Sequence, residues 1–164
     1  MAVPTSKPKT KAKSKPAPKI QAKAKSKPAR QPWTCPRCDR QFATKEQNHS
    51  CAPPVPVDVH FDGRPAWMRG AFDSIVRKLG KTIRVEGIAT GIHLAARSTF
   101  AGITTAGKKM HVEFMLPGEI KSPRIVKVEQ LGPARIAHHV DLIAGSGADA
   151  ELVGWLKTSR DEHS

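Results

Sequence analysis

The chain has 164 residues, enough for one domain of ordinary size and too few for two large ones. Its 28 lysine and arginine residues against 14 acidic residues give a formal net charge of +14, which favours a polyanionic partner. No apolar run approaches the roughly 18 to 20 residues of a membrane helix, and the N-terminus lacks the apolar core of a signal peptide. We therefore expect a soluble cytoplasmic protein without a membrane partner, with association with the nucleoid as a narrower alternative.

Residues 1–31 form a basic tail that contains ten lysine or arginine residues, five prolines and no acidic residue. It carries +10 of the charge, whereas the other 133 residues, with 18 basic and 14 acidic side chains, carry +4. We expect this tail to be disordered, because it has too few apolar side chains to offset the entropy of ordering. The repeated Ala-Lys-Ser-Lys-Pro-Ala at 12–17 and 24–29 resembles the tails of linker histones and histone-like bacterial proteins.

The tail cations are predicted to contact nucleic acid phosphates, without base-specific recognition. A solvated linker that only aids solubility is the alternative. The candidate cations of the tail are Lys7, Lys9, Lys11, Lys13, Lys15, Lys19, Lys23, Lys25, Lys27 and Arg30.

Residues 32–52 contain all three cysteines of the chain in a zinc-knuckle pattern. Cys35, Cys38, His49 and Cys51 have the spacing C-x2-C-x10-H-x-C, and three thiolates with one imidazole suit four-coordinate structural Zn²⁺. A redox cysteine pair is one alternative, although the thioredoxin-like unit that normally carries one is missing. The other alternative is that the cysteines are simply small buried side chains and that His49 is a surface side chain.

Several further expectations concern the same knuckle. Phe42 is predicted to cover the metal, and a helix from Thr44 to loosen before Cys51, because His49 and Cys51 would point to different sides of an intact helix. Arg37 and Arg40 are candidate phosphate contacts, and another protein could also recognise this segment.

The segment 53–58 is rich in proline and is predicted to be a stiff linker before a domain that spans 59–164. Helical spacing of apolar side chains predicts a helix from Pro65 to Leu79, ended by Gly80. A closing helix is predicted around Leu152, with a capping box at Ser146-Gly147-Ala148-Asp149.

Six short strands are predicted between these helices, separated mostly by glycine and proline. Their connections are too short for crossover helices, so the sheet should be mainly antiparallel. The predicted fold class is therefore α+β, with a sheet of five to six strands flanked by an N-terminal and a C-terminal helix. The strand candidates are Ile83 to Ala89, Ile92 to Ser98, Phe100 to Thr105, Met110 to Leu116, Ile125 to Gln130 and Arg135 to Ile143.

Three stretches between Trp33 and about Trp155 resemble an uncharacterised bacterial family, domain of unknown function (DUF) 5655, in its form with an N-terminal zinc knuckle. They are His49-Ser50-Cys51-Ala52-Pro53-Pro54, Thr90-Gly91-Ile92-His93-Leu94-Ala95-Ala96-Arg97-Ser98-Thr99-Phe100 and Ser122-Pro123-Arg124-Ile125-Val126. The resemblance implies a small α+β domain and supports the zinc ligands. It implies no catalytic residue.

Alternation along the strands predicts one apolar face toward the helices and one polar face. Leu94, Val112 and Val140 belong to the apolar face, and His138 falls among them, where we expect a hydrogen-bonded core histidine. The polar face is either simply solvated or a binding or acid-base cluster. Its candidate members are His93, Arg97, His111, Glu113, His139 and Asp141.

The chain lacks a phosphate-binding glycine loop, a G-x-S-x-G elbow and an H-E-x-x-H motif, and it has no thiol outside the predicted metal site. We therefore expect a non-enzymatic zinc-containing protein that binds nucleic acid, or another polyanion, non-specifically. The alternative is a small enzyme or ligand-binding module that uses the polar face, with zinc purely structural.

Overall fold

A computed structural model describes residues 32–42, 44–46, 49 and 51–164. Over these residues the chain is an α+β protein with two α-helices, a six-stranded antiparallel sheet and a separate two-stranded sheet. The predicted fold class is confirmed. The basic tail and all ten of its candidate cations lie outside the described residues.

The large sheet combines a meander with one inserted strand. Its strands are β3 (Arg84–Ile88), β4 (Gly91–Ala95), β5 (Thr99–Ala106), β6 (Lys109–Leu116), β7 (Ile125–Gly132) and β8 (Arg135–Leu142). Their order is β3-β4-β5-β6-β8-β7, and every neighbouring pair is antiparallel. The predicted strand Ile92 to Ser98 ends earlier, because a bulge interrupts its register between Leu94 and Ala95.

The first helix, α1 (Ala66–Leu79), follows Pro65 and ends at Gly80. Proline suits this entry because a helix leaves its first backbone N–H groups unbonded. Gly80 has φ of 86°, a left-handed conformation that glycine adopts without a steric penalty. The predicted limits of this helix therefore agree with the structure to within one residue.

The second helix, α2 (Ala150–Glu162), begins differently from the prediction. Its N-cap is Asp149, whose Oδ1 accepts a 2.9 Å hydrogen bond from the backbone N–H of Leu152. Ser146 instead bonds to the backbone of Ile143 through its hydroxyl. The predicted capping box at Ser146 to Asp149 is therefore wrong, since the serine closes the preceding turn and the aspartate caps the helix.

Both helices pack on one face of the sheet, and the core lies between these two layers. Met68 and Ile75 of α1 and Leu152 of α2 are fully buried against the strands. A buried serine joins the layers as well, because the Ser159 hydroxyl lies 3.0 Å from the Phe100 carbonyl oxygen and 2.6 Å from that of Met115. The opposite face of the sheet carries no helix in the described part of the chain.

The proline-rich segment is attached to the sheet rather than held away from it. The Val55 backbone N–H donates a 2.9 Å hydrogen bond to the Gly87 carbonyl oxygen in β3. A 3-10 helix follows at Val57–Phe61, and both of its end residues pack against the core. The segment predicted as linker 53–58 thus contributes Val55 and Val57 to the structure of the following domain.

No helix among the described residues has the length and apolar character needed to cross a membrane.

Candidate metal centre and polar sheet face

A tight antiparallel pair of strands builds the metal knuckle. Strand β1 (Trp33–Thr34) pairs with β2 (Gln41–Phe42), and the Cys35 backbone N–H donates to the Arg40 carbonyl oxygen over 2.9 Å. Asp39 closes the turn with φ of 55°, a left-handed conformation that aspartate tolerates better than most residues. This turn places two cysteines three residues apart on one side.

The four predicted ligands come together. The ligand atoms of Cys35, Cys38, His49 and Cys51 all lie within 4.8 Å of one another. The Cys35 and Cys51 sulfurs are 3.7 Å apart, and Cys38 Sγ is 3.4 Å from His49 Nε2. All three thiols are free of disulfides.

These separations fit a tetrahedral zinc ion. A zinc–sulfur bond of about 2.3 Å places two sulfurs of a tetrahedral site about 3.8 Å apart, close to the distance between Cys35 and Cys51. Four protein ligands leave no open position for a water or substrate, so a bound zinc ion would hold this module folded without catalysing a reaction. A metal ion is thus a good fit to this cluster of residues.

The local electrostatics prepare two of the thiols for metal binding. Burial opposes ionisation of Cys38, but hydrogen bonds from the Arg40 backbone and side chain and from His49 outweigh it and lower the Cys38 pKa to about 6. A hydrogen bond from the Arg37 backbone lowers the pKa of Cys35. Burial and the neighbouring thiols raise the pKa of Cys51 to about 11, so a cation is needed to hold all three as thiolates.

Aromatic rings close one side of the knuckle. The Phe42 ring centroid lies 4.1 Å from that of His49 and 6.0 Å from that of Trp33. Phe42 therefore packs against one of the predicted ligands, and its role in covering a metal stays a prediction. The helix predicted from Thr44 is not formed over the described residues Thr44–Glu46, because Glu46 has φ of 57°, which interrupts a right-handed helix.

The two knuckle arginines occupy different environments. Arg37 is exposed in the turn between the first two cysteines. Arg40 is half-buried, with its guanidinium 5.6 Å from the centre of the Phe42 ring. A groove of about 430 Å³ separates this part of the knuckle from the sheet, and Arg40, Arg84 and Glu86 lie along it.

The polar face of the sheet holds a row of residues in register across its strands. His93 of β4 is opposite Gly102 of β5, which is opposite Glu113 of β6, and Glu113 is opposite His139 of β8. The row continues to Lys127 of β7. Three of the predicted face residues therefore lie on one line, and Gly102 leaves a gap between two of them.

His111 lies in the next row, beside Asp141, and links it to His139. The Asp141 Oδ1 accepts a 2.8 Å hydrogen bond from His111 Nδ1, and His111 Nε2 lies 2.9 Å from His139 Nδ1. Hydrogen bonds from His111 and Lys109 lower the pKa of Asp141, whereas burial lowers the pKa of His139. An ionised carboxylate, a histidine and a second, neutral histidine are thus joined in series.

The series of hydrogen bonds ends at the second ring nitrogen of His139. His139 Nε2 is buried, has no hydrogen-bond partner among the described residues, and lies 3.7 Å from Glu129 Oε2. With His111 neutral, His139 donates to it and keeps a bare Nε2. With His111 protonated, the direction reverses and His139 Nε2–H faces Glu129.

A pocket of about 210 Å³ lies on this face, and His93, Gly102, His111 and Glu113 are among the residues that line it. Burial lowers the pKa of His93, so it is a neutral donor or acceptor at neutral pH. Arg97 stands apart from this group. It is exposed beyond the end of β4, where its backbone N–H donates to the His163 carbonyl oxygen.

His138 occupies the apolar side of the sheet, as predicted. It is fully buried, it stacks on Phe114 with 5.4 Å between ring centroids, and its Nε2 accepts a 3.0 Å hydrogen bond from the Ile120 backbone N–H. It is therefore a core histidine with a structural hydrogen bond.

Comparisons of this chain with protein-family models, curated proteins and solved structures found no match. The residues themselves define an α+β protein with a Cys₃His cluster that could hold a metal ion.

Proposed function

We propose that this chain is a non-enzymatic zinc protein that binds nucleic acid through phosphate contacts, using its basic tail and its knuckle together. The observation that carries the proposal is the position of the Cys₃His cluster directly after the ten cations of residues 1–31. A module stabilised by a metal at the base of the tail supplies a rigid binding surface. A flexible polycation alone has no such surface.

Arg37 supports the role of the knuckle. Its side chain is exposed between two metal ligands, and no residue in the described ranges forms an ion pair with it. A cation on a turn fixed by zinc reaches a phosphate with less loss of conformational freedom than a tail lysine. Arg40 contributes less in this role, because its guanidinium lies against Phe42.

Salt-dependent binding to duplex DNA and duplex RNA tests the proposal. If about half of the ten tail cations meet phosphates, log K falls with log salt at a slope of about −4 to −5. A chain lacking residues 1–31 loses most of this slope. Binding that ignores salt, or that survives the deletion unchanged, would show that the tail is only a solubilising linker.

The knuckle needs a separate comparison. Arg37→Ala weakens the binding that remains after the tail is deleted, whereas Lys157→Ala, which removes the same charge from the exposed side of α2, leaves it unchanged. Equal effects of the two substitutions would mean that only net charge matters and that the knuckle has no part in binding.

A second candidate function is a small-ligand or acid-base site on the polar sheet face. The hydrogen-bonded series Asp141–His111–His139 beside the pocket favours it, because a linked carboxylate and two imidazoles can move a proton to one end. Nuclear magnetic resonance of the histidine side chains during a screen of small polar compounds tests it. A ligand that shifts His93 and His111 in wild type, but not in Glu113→Gln, would support this site. The same ligand should cause the same shifts in a chain that lacks residues 1–31, because the tail takes no part in this site.

The motif resemblance to the DUF 5655 family leads us to assign the chain to that family as a further part of the proposal. The Thr90 to Phe100 stretch supports the assignment most, since it spans β4 and the bulged turn into β5.

A further inference from the structure

Strand β7 is an open edge of the sheet. It lies at the end of the strand order, and among the described residues one backbone hydrogen bond joins it to a residue outside the sheet, from the N–H of its first residue, Ile125, to the Ser122 carbonyl oxygen. Six of its eight residues are exposed. Three of them are large apolar side chains, Val126, Val128 and Leu131, whose exposed fractions are 57%, 39% and 49%. Unbonded backbone groups beside exposed valines form a template for another strand.

We propose that β7 pairs with β7 of a second copy of this chain, antiparallel and about a two-fold axis, so that two six-stranded sheets become one. Such an interface uses the same residues on both sides and closes on itself. It differs from the proposed binding to nucleic acid and does not depend on it.

The charges of β7 select one register for this pairing. Lys127 and Glu129 lie on the same face, with 2.7 Å between Nζ and Oε2. Directly opposed residues of an antiparallel pair must share a face, so the axis passes through a residue, and an axis through 127, 128 or 129 is the choice that sets Lys127 or Glu129 against a charged residue of the partner. An axis through 127 or 129 places like charges opposite each other. An axis through Val128 places Lys127 against the partner's Glu129 and Glu129 against the partner's Lys127.

The same register also brings apolar groups together. Val128 faces the helix side of the sheet, opposite His138 in register, and in the dimer it meets the partner's Val128. Two half-exposed valines at the centre of the pair bury each other.

Two irregularities limit the length of the pairing. The register of β7 shifts between Ile125 and Lys127 and again between Gln130 and Gly132, which leaves residues 127–130 as the regular segment. A contact of this size is smaller than the roughly 1,200 Å² of a stable interface. The dimer is therefore weak and depends on concentration. Where it forms, it brings two basic tails into one particle.

Charge-reversal substitutions test the register. The measurement is sedimentation equilibrium of the full chain, freed of nucleic acid, at concentrations from micromolar to millimolar. Lys127→Glu gives two acidic residues at 127 and 129, and Glu129→Lys gives two basic ones. Each variant alone dimerises at least about tenfold more weakly than wild type, since both cross-strand pairs become repulsive. An equimolar mixture of the two forms heterodimers, because every opposed pair is then opposite in charge.

Recovery of dimers on mixing must come from contacts between two different chains, because each variant chain by itself still carries two like charges at 127 and 129. Lys157→Glu, with the same change in net charge as Lys127→Glu, is the control for that variant and dimerises as wild type does. Val128→Lys, which opposes two lysines at the axis, is monomeric. Circular dichroism establishes that the exposed substitutions leave the fold intact. Monomeric wild type throughout the range, or a mixture that stays monomeric, would overturn the proposal and leave the edge for a different extended segment.

Discussion

The backbone N–H of Val55 lies 2.9 Å from the carbonyl oxygen of Gly87, at a point of β3 where no side chain fits. A Cβ atom added to Gly87 would lie 2.0 Å from the Val55 carbonyl oxygen. This contact, together with the packing of Val57 and Phe61 against the core, fastens the segment after the knuckle to the sheet. The metal module is therefore joined to the α+β domain at its edge as well as through the chain.

Gly87→Ala should detach that segment. Because the obstructing atom belongs to the backbone, residues around Val55 must move, at a cost of about 1 to 3 kcal/mol in the free energy of unfolding. Hydrogen exchange should then show a loss of protection at the Val55 amide. Gly102→Ala is the matched control, since a Cβ there has no heavy atom within 4 Å, so it should keep the Val55 amide protected and should not lower the free energy of unfolding. Similar behaviour of the two variants would contradict the role of the contact.

The purified protein should contain one zinc ion per chain, and Cys38→Ser should abolish it. Elemental analysis measures the metal directly. Because the sheet has its own core, far-ultraviolet circular dichroism of the variant should keep the helix and strand signal, while the fluorescence of Trp33 changes beside the disrupted site. Arg37→Ala, in the same turn, should retain zinc. Stoichiometric zinc in Cys38→Ser would reject the ligand assignment.

Asp149→Ala should destabilise the protein by about 1 kcal/mol, because the helix loses the acceptor for the Leu152 N–H. The ion pair between Asp149 and Arg124 is lost as well. Ser146→Ala, at the residue where the sequence pattern places the start of the capping box, should cost less. Chemical denaturation of both variants makes the comparison, and a larger effect at Ser146 would show that Ser146 contributes more than Asp149 to the start of α2.

Stability should fall as the solution is acidified below pH 7. Burial lowers the pKa of His93, His138 and His139 in the folded protein. Below about pH 6.5 these histidines therefore bind protons more readily in the unfolded chain than in the folded chain. Each such histidine adds a slope of up to about 1.4 kcal/mol per pH unit, with stability lost as the pH falls.

The His138 contribution can be isolated. His138→Gln keeps an acceptor for the Ile120 N–H but cannot titrate, so its unfolding free energy should depend less steeply on pH than that of wild type. Urea unfolding at a series of pH values measures both slopes, and loss of zinc affects both proteins alike. Identical slopes would mean that His138 does not titrate differently in the folded and unfolded states.

Local patterns predicted the parts of the fold that depend on local chemistry. The alternation along β6 and β8 places Val112 and Val140 in the core because successive strand side chains must point to opposite faces. The same rule places His138 inside the core. Spacing alone identifies the four residues of the Cys₃His cluster, since a turn of two residues brings Cys35 and Cys38 to one side.

The remainder depended on distant contacts. Nothing in the spacing of strands indicates that β8 inserts between β6 and β7. The sequence pattern misplaces the N-cap of α2 because Ser146 and Asp149 are both good caps, and Arg124, far away in sequence, lies beside the aspartate. The contact at Val55 has one signal in the sequence, Gly87, because a glycine in the middle of a strand often marks the close approach of another backbone.

The covered edge at β3 has a consequence for assembly. A sheet with two bare edges can add copies at both ends and grow into a fibre. Here the Val55 backbone already occupies the Gly87 carbonyl oxygen in β3, so another strand cannot pair along the whole of that edge. A pairing of β7 with β7 about a two-fold axis uses the β7 edge of both molecules, so the proposed dimer leaves no free β7 edge for a third molecule.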